Sequence, residues 1–345
     1  MNSILQIVPR VPGGRDGVGD YAQTLAQRLE KSHGLATKFI SGAELQELPQ
    51  PPAAGAIILH YVNYGYDPRG VPLWLPTVLR RLRGSAKLLT VFHELYASGS
   101  WRQSAFWLQP LQKRIARSIA GLSEAAIVSS EVLREQLTSL TAKSRIIVHP
   151  VFSNFGEPDL TGVMMAERDP HRWVICGGTK LIERSVRSFL QAARGIAAPF
   201  APRELFVVGG TDTASIRQQL KAHPGIEARY HPEIDAAEAS RILSACAFGW
   251  VDYFVRPGVP TSAVLKSTAF AACCAHGVIP VFPHRGSVIA RSGDALPGPF
   301  FVAPAGQSFP GESERPAVAQ SIQAWYQRHA SSAHLAETVA SALAL

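Results

Sequence analysis

Short β-branched runs alternate with helix-patterned stretches along almost the whole chain, and no other feature limits the fold as strongly. Residues 4–8 read as a strand, and residues 18–31 then set Tyr21, Leu25 and Leu29 on one helix face. Strands are expected at 37–40, 56–60, 88–92, 126–128 and 145–148, with helices over 75–82, 104–120 and 131–140. Residues 149–169 carry prolines, glycines and little periodicity, and the alternation resumes after them. Its second half holds strands at 173–176, 205–208, 226–230, 248–251, 279–282 and 300–302. The helices between cover 184–193, 213–222, 236–245 and 262–275, and a helical tail starts at 317. Such alternation builds parallel sheets with helices on both faces. Two doubly wound α/β domains facing across a cleft are therefore expected, 1–155 and 156–325, with 326–345 as a C-terminal helix packing back on the first. A length of 345 residues suits two domains, and 46% apolar residues supply two cores and exclude a disordered chain.

In doubly wound sheets ligands bind beyond the carboxyl ends of strands, so the loop after each strand is a candidate site segment. The first such loop, 9–21, contains Gly13, Gly14, Gly17 and Gly19 and runs into a helix whose free N–H groups attract anions. Residues 17–22 fit GxGxxA, yet strand two ends at Ile40-Ser41-Gly42 without the carboxylate that holds a dinucleotide ribose. Tyr61, Tyr64 and Tyr66 follow the third strand and suit a sugar-like ligand, with flat apolar faces plus hydroxyls. His93-Glu94 ends the next strand. In the second half, Gly177-Gly178-Thr179-Lys180 opens a loop that leads to Glu183 and Arg184. Lys266-Ser267-Thr268 opens a small-residue helix, where a Lys and two hydroxyls form an anion site or, more plainly, a surface Lys beside an ordinary cap. The sequence holds no Ser-His-Asp or HExxH pattern, no Walker A loop and no Asp-x-Asp pair.

The formal charge is +8, and most of the excess lies between Tyr61 and Ser123. There Arg69, Arg80, Arg81, Arg83, Lys87, Arg102, Lys113, Arg114 and Arg117 face only Asp67 and Glu94, among Trp74, Trp101, Phe106 and Trp107. This stretch reads as a solvated face, or as a surface for anionic lipid or a phosphate-bearing acceptor, with Arg80, Arg81 and Arg83 at one helix end and Trp74 and Leu75 at the other. No nucleic-acid-binding signature is present. Cys176, Cys246, Cys273 and Cys274 form no CxxC pair and sit in apolar runs, as buried thiols of a cytoplasmic protein do. No apolar run approaches the ~20 residues that span a bilayer, and the N-terminal run is too short for a signal-peptide core.

GGRDGVGDYAQTLAQRL from Gly13, VFHELY from Val91 and LKSTAFAACCAHGVIPVF from Leu265, in that order across two α/β domains, resemble the retaining GT-B glycosyltransferases, in particular bacterial glycosyltransferase family 4. The resemblance implies two Rossmann-like domains, the second holding a nucleotide-diphosphate sugar and the first a hydroxyl acceptor. It assigns His93, Lys266 and Arg184 to catalysis. Gly17, Gly19, Lys180, Tyr230, His231, Ser267 and Thr268 would bind the donor, and Asp20, Tyr21, Tyr61, Tyr64 and Glu94 would lie on the acceptor side. The implied reaction is sugar transfer with retention, without metal or cofactor, to a glycan, small-molecule or lipid-linked acceptor, with peripheral contact at an anionic membrane and no nucleic-acid partner. Polysaccharide biosynthesis is the kind of pathway such an enzyme serves.

The family's glutamate pair is missing: residues 252–262 hold no Glu, and the second expected position is Ala272. Lys266-Ser267-Thr268 would replace those contacts. The alternative is an inactive sugar-nucleotide-binding partner of another transferase. A nicotinamide-dependent dehydrogenase is disfavoured by the missing ribose carboxylate and the second doubly wound pattern.

Overall fold

The apolar runs become two parallel sheets in the computed structural model, which describes residues 3–13, 17–47, 55–97, 102, 104–142, 145–160, 168–253 and 259–344. The chain divides into two compact units, Met1–Pro150 with Ser332–Leu345, and Val151–Ser331.

The first unit runs β1 (Ile4–Val8), α1 (Gly17–His33), β2 (Thr37–Ser41), α2 (Gly42–Glu47), β3 (Ala56–Tyr61), α3 (Asn63–Tyr66), α4 (Leu75–Arg83), β4 (Lys87–Phe92), α5 (Ser104–Leu122), β5 (Ala125–Val128), α6 (Glu131–Leu140) and β6 (Arg145–Val148). Its strands line up as β2-β1-β3-β4-β5-β6, all parallel. β1, β3 and β5 are buried along their whole length, as strands covered on both faces must be. Leu5, Ile7, Leu59, Tyr61 and Phe92 face a core shared with Leu75 and Leu79 of α4 and Ile115 and Ile119 of α5. The C-terminal segment closes the unit: Arg28 Nε donates to Ser332 Oγ at 2.8 Å, and Lys87 Nζ donates to the Leu343 carbonyl at 2.6 Å. That lysine meets the negative end of the last helix.

The second unit runs β7 (Arg172–Cys176), α7 (Thr179–Ala193), β8 (Glu204–Val208), α8 (Ala214–Lys221), β9 (Glu227–His231), α9 (Ala236–Ala245), β10 (Phe248–Trp250), α10 (Thr268–Ala275), β11 (Ile279–Phe282), a short ribbon of β12 (Ala290–Arg291) and β13 (Asp294–Ala295), then β14 (Phe300–Ala303), β15 (Gly306–Ser308) and α11 (Arg315–His329). α12 (Ser332–Leu343) belongs to the first unit. The sheet order is β15-β14-β11-β10-β7-β8-β9, with only β15 antiparallel. α10 is apolar all round, and Ala269 through Ala275 are all buried, so it is a core helix. Arg168 closes its C-terminus, donating to the carbonyls of Cys246, His276 and Gly277. All four cysteines are buried free thiols.

Three local expectations need correction. Gly17 and Gly19 lie in the first turn of α1, not in a loop, and residues 14–16 of that loop fall outside the described residues. α7 begins at Thr179, five residues before the expected start, because Gly178 supplies an extended residue ahead of it. The single helix expected over 262–275 is two pieces: a 3₁₀ turn, Thr261–Lys266, and α10. Ser267 is extended between them and its hydroxyl accepts the Phe270 N–H at 3.3 Å, the competition with the helix backbone that serine favours.

The backbone of β10 lies directly on α10. A Cβ added at Gly249 would stand 2.4 Å from Cys273 Sγ and 3.2 Å from Val278 Cγ1. Gly249→Ala is expected to cost about 1–3 kcal/mol in urea unfolding, the usual penalty of an overfilled core. Gly225→Ala, with nothing within 4 Å of the new methyl, serves as its near-neutral control. Equal midpoints for the two variants would refute this packing.

Candidate functional site

Each sheet has a point where the chain leaves one strand and continues on the opposite side of it, and there the carboxyl edge opens into a crevice. In the second unit that point lies between β7 and β10. β7 and β8 are both followed by the same tripeptide, Gly177-Gly178-Thr179 and Gly209-Gly210-Thr211. Gly177, Gly209 and Gly210 have φ of +130°, +95° and +66°. A Cβ on Gly209 would meet the Gly177 carbonyl at 2.8 Å, and one on Gly210 would meet Thr179 Cα at 3.1 Å. The two turns touch backbone to backbone, which only glycine permits. The threonines tie them together: Thr179 Oγ1 accepts the Thr211 N–H at 2.8 Å and lies 2.9 Å from the Thr211 hydroxyl.

Around this cradle stand most of the residues expected on the donor side. Lys180 is exposed in the first turn of α7. Arg184, one turn on, donates from Nε at 3.0 Å and from a second nitrogen to the Asp252 carbonyl, with the Asp252 carboxylate 3.8 Å away. Its guanidinium therefore clamps the end of β10 to α7 across the switch point. The first turn of α10 reaches the same place, since a Cβ on Gly177 would stand 3.5 Å from Ala269 Cβ. That brings Thr268 close, with half-buried Lys266 just before it. Ser267 is buried and spends its hydroxyl on the cap. Tyr230 donates to the Thr211 carbonyl at 2.7 Å beneath the Arg217 guanidinium, while His231 stacks on Phe206. Burial, the largest cause, raises the Tyr230 pKa. Arg184 and Asp252 also line a cavity of about 700 Å³, together with Ser188, Gln191, His284, Pro304 and Gln307. Residues 254–258, part of the segment searched for glutamates, lie outside the described residues.

In the first unit the switch point lies between β1 and β3. Tyr66 OH lies 2.9 Å from the His60 carbonyl and 3.3 Å from that of Ile7, bridging the two strands. Behind it, fully buried His60 sits with Nε2 2.7 Å from Gln6 Oε1 and Nδ1 3.3 Å from His93 Nε2. Tyr21 packs edge-on against both imidazoles, with centroids 5.8 Å and 4.9 Å away. Burial raises the Tyr21 pKa, whereas burial and then the neighbouring His93 hold His60 well below its ordinary value. Asp20, Tyr64 and Glu94 are exposed, as is Gly17, while Gly19 is buried. Tyr61, expected toward the acceptor, is 0% exposed and packs on Phe92 in the core, because its position in β3 turns it to the face opposite His60. In the basic stretch Arg80 and Arg81 are exposed in the last turn of α4, as expected. Leu75 is buried, Trp74 packs on Tyr66, and Arg83 is held by the Leu122 carbonyl and Glu124. Among the described residues of the stretch the exposed aromatics are Tyr64 and, on α5, Phe106 and Trp107; Trp101 lies outside the described residues.

The sequence reading missed Gln6, His60, Asp252 and the second Gly-Gly-Thr. The signal was there: Gln6 and His60 interrupt otherwise apolar strands, and the tripeptide recurs after consecutive strands. Among the described residues no group of three His, Cys, Asp or Glu stands ready to hold a metal ion.

No protein-family description matches the chain, and no curated protein does. Solved structures match it over nearly its full length. An alpha-glucosyltransferase (AGT) in complex with UDP superimposes with a TM-score of 0.61 at 10% identity, covering 99% of each chain. AviGT4, a glycosyltransferase involved in avilamycin A biosynthesis, gives 0.58 at 11% identity over 100% of this chain and 97% of its own. WaaG, a glycosyltransferase involved in lipopolysaccharide biosynthesis, gives 0.50 at 9% identity over 97% and 95%. The chain has the GT-B fold.

Two buried imidazoles set a pH limit on this fold. His60 and His276 are both held below their ordinary 6.5, chiefly by burial. Just under that value the unfolded chain takes up protons that the folded chain refuses, so unfolding free energy falls as the pH drops. The Tm is expected to decline steadily from about pH 7 to about pH 5, and a level Tm across that range would contradict the buried neutral imidazoles.

Proposed function

We propose that the chain is a retaining glycosyltransferase that takes a nucleotide-diphosphate sugar as donor and a hydroxyl group as acceptor. The observation that carries this reading is the glycine cradle of the second unit, where the first turns of α7 and α10 come together at the switch point with Lys180 and Arg184 on α7. UDP is the first donor nucleotide to test, because proteins with the same fold over their whole length are described with UDP or UDP-glucose.

In the proposed reaction the bond between the anomeric carbon and the diphosphate oxygen breaks, and a bond to the acceptor oxygen forms on the same face. The acceptor proton passes to the departing phosphate. Charge building on that phosphate is met by Lys266, Lys180 and the amide ends of α7 and α10. Arg184, held by Asp252, shapes the same edge, while Gly17 and Gly19 bring the α1 N-terminus to the edge of the first unit. Tyr230, His231, Ser267 and Thr268 complete the donor side, and His93 orients the transferred hexose. Cations take the place of a divalent metal. The protein works in the reducing cytoplasm, where four buried thiols persist.

The acceptor, in this reading, is lipid-linked, and α5 meets an anionic membrane surface. Residues 104–122 contain Lys113, Arg114 and Arg117 and no acidic residue. Trp107 is 68% exposed, with Phe106 and Leu111 beside it, an interfacial pattern. Among the described residues no helix is long and apolar enough to cross a membrane.

Mixing the protein with UDP-, GDP- and ADP-sugars is expected to raise its Tm with one of them and to release the free nucleotide, with turnover unchanged in EDTA. Lys266→Ala should lower turnover by about 1.5–3 kcal/mol of transition-state stabilisation, the scale of one hydrogen bond to a charged group. Absence of both binding and release would defeat the proposal, and loss of turnover in chelator would defeat its metal-free form. For the membrane, co-sedimentation with anionic but not neutral vesicles is expected at low salt, and Trp107→Ala combined with Arg114→Gln and Arg117→Gln should abolish it. Protein left in the supernatant with both vesicle types would point to a soluble acceptor.

A further inference from the structure

Gln6, His60 and His93 form a staircase across three neighbouring strands. Gln6 stands opposite Ile58 in the β1–β3 register, and His60 lies two residues beyond Ile58. His60 stands opposite Val91 in the β3–β4 register, and His93 lies two residues beyond Val91. Each step moves one strand over and two residues toward the carboxyl edge. Two-residue steps keep side chains on one face, so the three polar groups meet beneath α1, where Tyr21 packs on both imidazoles. Gln6 and His60 are both completely buried, and a buried imidazole needs partners on its nitrogens.

The chain of contacts has a direction. Gln6 presents Oε1, which only accepts, so His60 must donate from Nε2 across the 2.7 Å contact. An uncharged His60 then carries its lone pair on Nδ1, and the 3.3 Å contact requires His93 to donate from Nε2. The terminal group is an amide. In a Ser-His-Asp arrangement the last member is a carboxylate, which stabilises an imidazolium. Here nothing at the end of the chain compensates a second proton on His60, and its pKa, lowered chiefly by burial, agrees with that.

We propose that His60 is a positioning residue which, anchored by Gln6, holds His93 with its Nε2–H turned inward onto His60 Nδ1. What His93 touches rests on the glycosyltransferase reading; the inward Nε2–H does not.

The test begins on the unmodified full chain, with imidazole ¹⁵N shifts recorded at neutral pH. His60 is expected to show a protonated Nε2 and an unprotonated Nδ1, and His93 a protonated Nε2. The opposite pattern, with Gln6 donating and both rings protonated at Nδ1, overturns the proposal, as does a mixture of tautomers at His93. Gln6→Glu, nearly the same size, then ends the chain in a carboxylate. It should raise the apparent pKa of the coupled histidine pair by more than about one unit, a tenfold gain in proton affinity. It should also lower kcat near neutral pH about tenfold, with donor KM changed far less, and raising the pH should restore the rate. An unshifted pKa, or an unchanged kcat despite the shift, overturns the positioning role. The ¹⁵N measurement decides the tautomer even if no sugar nucleotide turns over, so failure of the two ideas is told apart.

Discussion

A parallel sheet puts every strand's carboxyl end, and the amino end of every following helix, along one edge. The other features of this protein's candidate site depend on that constraint. In the second unit the order β9-β8-β7-β10-β11-β14 opens the edge between β7 and β10. The Arg184 guanidinium on the Asp252 carbonyl ties α7 to the end of β10 at that opening. In the first unit the edge opens between β1 and β3, and the Tyr66 hydroxyl on the Ile7 and His60 carbonyls does the equivalent job.

Close backbone approach is the second theme. Gly177, Gly209 and Gly210 let two βα turns touch, and Gly249 lets β10 lie against Cys273. Side chains at these points would separate elements whose contact shapes the crevice. The same economy appears in the caps. Ser267 and Arg168 satisfy the two ends of α10, a helix with no solvent face from which water could reach those groups.

Much of this was legible from the residues. The alternation of β-branched runs and 3.6-residue periodicity marked every strand of both parallel sheets except the short antiparallel β15, most plainly for β1, β3 and β5, which are buried on both faces and continuously apolar. Helix starts were less legible: the start of α7 depends on an extended Gly178, and the break before α10 depends on the Ser267 cap, both set by geometry more than by composition. Tyr61 looked like a ligand contact because it follows a strand, but a one-residue change of face sends it into the core. Gln6 and His60 were overlooked for the converse reason. Their importance comes from the β1–β3 and β3–β4 registers, which one strand's sequence does not display.

The account holds that a nucleotide diphosphate is received at the carboxyl edge of the second unit's sheet. Backbone amide shifts recorded while UDP is titrated into ¹⁵N-labelled protein test this most directly. Saturable shifts concentrated in residues 177–184, 209–211 and 267–271 are the predicted result. Shifts concentrated instead along the cavity lined by Gln191, His284 and Gln307, or no saturable shifts at all, would contradict it.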